Sequence, residues 1–426
     1  MSTISDRNLP SAAARVSAHL RAVHELDQRT HAVEWFDDER AMLDAKAVDD
    51  AGDTIAAGAL RGLPITVKDW IDVAGFPCAG GAAAAAERRP ARDATVVARL
   101  RAAGAVVLAK TKPWDGFRPD APPVLHPIDP LRFPGGSSTG EGVVTAAGGS
   151  PLGLGSDSGG SIRVPAAWCG VYGLKPTTGR IPGTGHFPRI GMKSDGRTTI
   201  GFLASDLDLI EAATRATAGP DGLDAGALPV PFTPSPRGPL AGLRVAQLAP
   251  DPDWPATAAV ADACTRAVVA LEESGMTRAA WDWPWLPEAV EITAGYWQRT
   301  TRSGEAAAEQ LWGWDRFQRR FLVATAEVDI LVSPVTATVA PLRTSVAARD
   351  RTRTDGLPTL VEDFVFTLPA SLTGSPAISV PMGDDPATGL PLAVQLIGRP
   401  WEDHIVLAAA RTLAPARAAA PPASRG

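Results

Sequence analysis

The sequence predicts an α/β fold in one domain spanning 1–426. Three observations carry this expectation. Short apolar runs of strand length alternate with longer segments of helical apolar spacing, the order expected when helices cover a sheet. The length, 426 residues, exceeds an ordinary single core but suits a large single-domain α/β enzyme. No internal repeat breaks the chain into similar units.

The elements follow in order. Residues 9–34 show helical spacing with a mixed polar face, and 38–58, rich in alanine and acids, read as a second helix. LPITVK (63–68) reads as a buried strand ending in a lysine. DATVVARLRAA (93–103) is a helix and AVVLAK (105–110) a strand. The small residues of EGVVTAAGG (141–149) suit a short buried helix. A helix is expected over 205–218, a strand over GLRVAQLA (242–249) and an amphipathic helix over 256–275. DILVSPVTA (329–337) reads as a buried strand, and PAISVP (376–381) with PLAVQLIG (391–398) as a strand pair. The Ala/Pro/Arg-rich tail, 412–426, is expected to fray.

Composition excludes several function classes. Net charge is −6 and no basic stripe is present, so no nucleic-acid partner is expected. Cys78, Cys169 and Cys264 are far apart and form no CxxC pair. They suggest neither a zinc site nor a disulfide framework, and a reducing, cytoplasmic setting is the expectation. MSTISDRNLPSAAARVSAHL lacks the apolar core of a signal peptide, and no apolar run reaches membrane-spanning length, so no membrane anchor is expected. GxxxxGK[ST], HExxH and clustered carboxylates are absent, so neither metal nor cofactor is expected.

Three segments carry chemistry. Ser161 lies in GLGSDSGGSIRVPAAWCG (153–170), where a Gly-Gly-Ser turn can aim successive backbone N–H groups at one point. Taken alone, this run also fits a surface loop. A second Gly-Ser turn, PGGSSTGEG (134–142), places Ser137 twenty-four residues upstream of Ser161. Lys68 closes the strand in RGLPITVKDW (61–70). A buried lysine loses its proton readily and can serve as a base, whereas a solvated strand end would keep it charged. Asp69 could pair with it, but strand alternation points Asp69 to the opposite face. The six histidines (His19, His24, His31, His126, His186 and His404) lie in no triad context. Asn8 is the sole asparagine, so oxyanion donors would come from the backbone.

These segments resemble the amidase signature family over nearly the whole chain. DSGGSIRVPAAWCGVYGLKPTTGRI (157–181) follows the family pattern at almost every position, and LTGSPAISVPMGDDPATGLPLAVQLIGRPWED (372–403) matches its closing segment. PLGLGSDSGGS (151–161) and GGSSTGEG (135–142) are similar to the fatty-acid amide hydrolase branch. The resemblance implies a large mixed sheet with helices on both faces and a catalytic set of Ser161, Ser137 and Lys68. Ser161 is then the nucleophile, Ser137 the relay after a cis Gly136–Ser137 bond, and Lys68 the base. It also implies oxyanion donation from the N–H groups of Ser158, Gly159, Gly160 and Ser161. Asp157 and Arg163 are read as a supporting ion pair. Ser138 is open between a place in the relay and a structural turn role. Dimers are common in the family, so a homodimer is possible.

The chain departs from the family at three places. Lys112 stands where Asn is usual in KTKPWDGF (110–117), Thr139 replaces a glycine, and the loop 118–130, which commonly helps form the substrate channel, is shortened. The segment 250–320 holds Trp254, Trp281, Trp283, Trp285, Trp297, Trp312 and Trp314. It is either packing of a variable cap over the substrate pocket or a pocket lining, with Trp297 and Trp312 as the weak substrate-binding candidates. The leading function is hydrolysis of a small-molecule amide through a seryl-acyl intermediate, releasing ammonia or an amine. The alternatives are acyl transfer to an amine on the same triad, the glutamine-hydrolysing component of an amidotransferase, and a non-catalytic binding protein.

Overall fold

The computed structural model describes residues 10–55, 58–80, 87–114, 122–190, 196–281, 283, 285–297, 305–346 and 363–414. Its centre is an eleven-stranded mixed sheet with strand order β1-β3-β2-β4-β6-β5-β10-β11-β9-β7-β8. In chain order the strands are β1 (Val33–Phe36), β2 (Pro64–Lys68), β3 (Val106–Thr111), β4 (Leu152–Asp157), β5 (Tyr172–Lys175), β6 (Thr199–Ala204), β7 (Arg244–Gln247), β8 (Thr277–Arg278), β9 (Ile330–Pro334), β10 (Ala377–Asp384) and β11 (Pro391–Gly398). β2 runs parallel to both β3 and β4, with Val67 opposite Lys110 and Leu154. Lys68 and Asp157 therefore leave the same edge of the sheet, the end at which α/β sheets usually hold their sites.

The helices build on simple patterns. In α1 (Ala12–Thr30), Val16, Leu20, Val23 and Leu26 form one buried stripe. Ser11 caps its start through Ala14 N–H, and His31 ends it in the left-handed region at φ 54°. This stop is why residues 33–36 form the edge strand β1 and not the end of the helix expected over 9–34. α2 (Asp38–Asp50) likewise ends before the expected residue 58. α3 (Thr95–Ala102), α6 (Leu207–Thr217) and α7 (Ala258–Glu273) lie within their expected ranges. The last described helix, Asp403–Leu413, extends past residue 412, and the tail from 415 onward lies outside the described residues.

Two helices begin directly after the serine turns. α4 (Thr139–Ala146) follows Ser137 and Ser138, and α5 (Arg163–Cys169) follows Ser161. They pack against one another beside β4. Both are too short to be stable alone, so their burial holds the serine turns in place. Cys78, Cys169 and Cys264 are buried free thiols. Among the described residues no helix is long and apolar enough to cross a membrane.

The tryptophan segment is mostly packing. α8 (Leu286–Trp297) and α9 (Glu305–Ala324) lie against a cluster in which Trp285 is fully buried. The Trp285 ring stacks on Phe321 at 5.6 Å, and Trp281 meets Trp285 edge-on at 5.2 Å. Trp283 sits 5.1 Å from Phe317. Trp314 donates its indole N–H to the carbonyl of Leu372, 2.6 Å away. Trp312 is 60% exposed and turned to solvent, so it is a poor pocket wall. The side chain of Trp297 lies outside the described residues. Truncating Trp285 to Ala should lower the urea-unfolding free energy by about 3 kcal/mol or more. Trp312→Ala should change it by no more than about 0.5 kcal/mol. Equal effects from the two would contradict this division.

Candidate active site

Lys68 ends a strand in which every residue is buried. Its Nζ donates to Ser137 Oγ at 2.8 Å and to Ser156 Oγ at 3.3 Å, and it lies 4.0 Å from the centre of the Trp70 ring. Among the described residues no carboxylate pairs with it. Burial holds its pKa well below the lysine range, while the charges of Asp157 and Glu141 pull weakly the other way. Asp69 turns to the other side of the strand. It pairs with Lys110 at 3.2 Å and takes the N–H groups of Ala79 and Gly80.

Glu141 is buried on α4 beneath this group. It accepts from Thr66 Oγ1 at 2.6 Å on β2 and from Thr111 Oγ1 at 2.7 Å on β3. Burial raises its carboxyl to about 7, against the two threonines and the charges of Lys68 and Lys110. Sequence reasoning missed Glu141 as a site-supporting residue. Its signal was a carboxylate inside an otherwise small and apolar helix.

The serine turns are tied to one another. The Gly136–Ser137 peptide bond is cis. Trp114 N–H donates to the Ser137 carbonyl at 3.1 Å. Ser138 N–H donates to the Ser161 carbonyl at 3.1 Å. The Ser138 hydroxyl donates to the Ser156 carbonyl at 3.3 Å and accepts from Ser156 N–H at 3.4 Å. All of these Ser138 bonds go to backbone, which favours the structural role among the two left open. Ser161 is half-buried, and among the described residues no hydrogen bond joins its hydroxyl to Ser137. Such contacts are often loose before substrate binds.

Asp157 and Arg163 form a fully buried pair, with Arg163 Nη2 at 2.8 Å and Nε at 3.0 Å from the carboxylate. Burial alone would raise the Asp157 carboxyl. Arg163, the charge of Lys175 and the Ile162 N–H outweigh it and bring it down to about 2. Arg163 also reaches Thr367 O at 2.9 Å, Ser371 Oγ at 2.8 Å and Gln395 Oε1 at 2.5 Å. It thus fastens the loop before α5 to the C-terminal part of the chain.

The four expected oxyanion donors differ in their surroundings. Gly160 N–H donates to Asp157 Oδ1 at 2.7 Å and so already has an acceptor. The N–H groups of Ser158, Gly159 and Ser161 have none among the described residues. The Ser158 carbonyl accepts from Arg197 Nε at 2.9 Å, and the Gly159 carbonyl from Thr367 Oγ1. Nothing in the local sequence flagged Arg197, Thr367 or Ser156, because the fold alone brings them here. The expected channel loop is only partly visible, since 118–121 lie outside the described residues.

Comparison with known proteins points one way. The Amidase family profile matches residues 14–313 and 298–407. The A component of the glutamyl-tRNA(Gln) amidotransferase of Thermus thermophilus is 34% identical, over 92% of this chain and 91% of that protein. AtzE, one chain of the 1-carboxybiuret hydrolase of Pseudomonas sp. (strain ADP), is 32% identical over 88% of each chain. A solved structure from work on a vestigial protein complex and the evolutionary origins of an s-triazine catabolic enzyme superposes with a TM-score of 0.84. It is 28% identical and covers 95% of both chains.

The buried acid gives a pH prediction. Glu141 keeps its proton in the folded state up to about pH 7, whereas unfolded it releases the proton near 4.5. The folded state therefore binds the extra proton between these values, and stability from this group falls as pH rises through that window. Glu141→Gln stays neutral throughout. Its stability relative to wild type should improve by up to about 3 kcal/mol between pH 4 and pH 8. A difference that does not change with pH, read from urea midpoints, would contradict this.

Proposed function

The chain belongs to the amidase signature family and is an amidohydrolase, and on that premise we propose that it cleaves a small carboxamide or N-substituted amide through an acyl-enzyme on Ser161. The observation that carries this reading is the buried Lys68–Ser137 hydrogen bond at 2.8 Å, at which no carboxylate of the described residues pairs with Lys68. A serine hydroxyl is a weak nucleophile until a base takes its proton. Neutral Lys68 accepts the Ser137 proton as Ser137 accepts that of Ser161, and Ser161 Oγ attacks the amide carbon. The oxyanion takes N–H groups from Ser158, Gly159 and Ser161. The proton then returns through Ser137 to the leaving nitrogen, which departs as ammonia or an amine. Water repeats the route in reverse order and frees the acid.

A second reading is favoured by the Thermus relative. The carboxamide would be that of glutamine, and the ammonia would pass to a partner protein. Acyl transfer to an amine shares the same acyl-enzyme. Ammonia release from glutamine, with and without the other amidotransferase components, and product analysis with added amines separate these from plain hydrolysis. The segment 250–320 is the part of the chain we assign to capping the pocket.

The triad is tested by intact mass after fluorophosphonate treatment. Wild type should gain one adduct and Ser161→Ala none. Labelling of Lys68→Ala and Ser137→Ala should slow by about 100-fold or more. An adduct that persists in Ser161→Ala, or none on wild type, would overturn the assignment.

A further inference from the structure

The loop 158–161 has a pattern that its own sequence does not explain. Three successive peptide carbonyls each have a fixed partner from elsewhere in the fold. The Ser158 carbonyl takes Arg197 Nε–H at 2.9 Å. The Gly159 carbonyl takes the Thr367 hydroxyl. The Gly160 carbonyl takes Val164 N–H at 2.8 Å, in the first turn of α5. None of these peptide bonds is cis. In a planar trans peptide the C=O and the following N–H point in opposite directions. Fixing a carbonyl therefore fixes the N–H of the next residue.

We propose that Arg197 and Thr367 are positioning residues that orient the N–H groups of Gly159 and Gly160, so that Gly159 and Ser161, with Ser158, face the reacting carbonyl and Gly160 does not. The proposal rests on the acyl-enzyme reading above. Arg197 holds the Ser158 carbonyl and so directs Gly159 N–H away from itself. Thr367 holds the Gly159 carbonyl and so turns Gly160 N–H toward Asp157 Oδ1, 2.7 Å away. Val164 N–H holds the Gly160 carbonyl and leaves Ser161 N–H pointing out of the helix start. The middle amide is thereby removed from the donor set, and its two neighbours are left for the substrate oxygen.

The two side chains are themselves buried and make further contacts. The Arg197 guanidinium is fully buried and lies 4.6 Å from the Tyr296 ring on α8. Thr367 closes the short 3-10 turn Val365–Thr367, shares its one hydroxyl proton between the Gly159 carbonyl and the Phe364 carbonyl at 2.7 Å, and gives its own carbonyl to Arg163 at 2.9 Å. Gly160 has φ 132°, a conformation that favours glycine, and a Cβ there would run into Thr367 Oγ1. The close approach of Thr367 and the glycine at 160 are thus one constraint. Through its hydrogen bond to the Ser158 carbonyl and its contact with the Tyr296 ring, Arg197 joins the loop to the tryptophan-rich helices.

The test uses the full chain and a fluorophosphonate probe, which forms an Oγ–P bond as fluoride leaves and builds negative charge on the phosphoryl oxygen. Labelling rates are measured against probe concentration for wild type, Thr367→Val, Thr367→Ser, Arg197→Met and Arg197→Lys, with a thermal unfolding midpoint for each. Thr367→Val and Arg197→Met should each lower the limiting rate by about 10- to 100-fold, with the half-saturating probe concentration unchanged. Thr367→Ser should restore most of the rate. A phenylboronic acid, which forms a tetrahedral adduct, should lose affinity in parallel. Folded Thr367→Val or Arg197→Met labelling at the wild-type rate would overturn the proposal. A rate that falls only in step with a lowered unfolding midpoint would do the same. If Arg197→Met does not fold, the near-isosteric Thr367→Val decides. Wild type that does not label would defeat the acyl-enzyme reading itself, a result separate from labelled wild type with indifferent variants.

Discussion

A lysine sealed inside a protein without a counter-ion must give up its proton or be held at high cost, and the site around Lys68 depends on that choice. The nearby acids are arranged so that none of them contacts Nζ. Asp69 points across the strand to Lys110, Asp157 is engaged by Arg163, and Glu141 sits between Thr66 and Thr111. Among the described residues, Nζ meets two hydroxyls, Ser137 and Ser156, and the face of Trp70. A neutral amine beside a serine hydroxyl can act as a base, while an ammonium could only donate.

The sheet supplies the geometry for this arrangement. β2 and β4 are parallel neighbours, so Lys68 and the loop that begins at Asp157 emerge side by side. Close approach depends on two glycines of β4. A Cβ at Gly153 would strike Glu141 Oε2, and one at Gly155 would lie 2.8 Å from Ser138 Oγ. These glycines weaken β4 as a strand by propensity but let α4 and the first serine turn press onto it. The buried Arg163 then anchors the second turn to the distant segment around Thr367, Ser371 and Gln395.

Much of this was legible in the sequence, and the rest was hidden for physical reasons. The apolar strand ending at Lys68 and the helices α3, α6 and α7 are local signals, and they lie where the pattern puts them. β4 was read as part of a glycine-rich loop because LGLGSD has little strand propensity, and its pairing with β2 and β6 is a tertiary effect. The tryptophans of WDWPW suggested either a pocket or packing, and pattern could not choose between them. The rings of Trp281, Trp283 and Trp285 around Phe317 and Phe321 favour packing. Four equal backbone donors were expected over 158–161, but the Asp157 side chain had been assigned only to Arg163. Its hydrogen bonds to the N–H groups of Gly160 and Ile162 follow from the local turn geometry. The partners of the loop carbonyls come from positions 197 and 367, too distant in the chain for spacing to connect them.

The most direct test of the account is the protonation state of Lys68 in the folded protein. Carbon-13 labelling at lysine Cε, with Lys68→Met to assign the resonance, would follow its titration between pH 5 and pH 11. The account predicts a midpoint well below the ordinary lysine value of about 10.4, so that the amine is neutral where the enzyme works. A resonance that stays in the ammonium position up to pH 10 would contradict it and would leave Ser137 and Ser161 without their base.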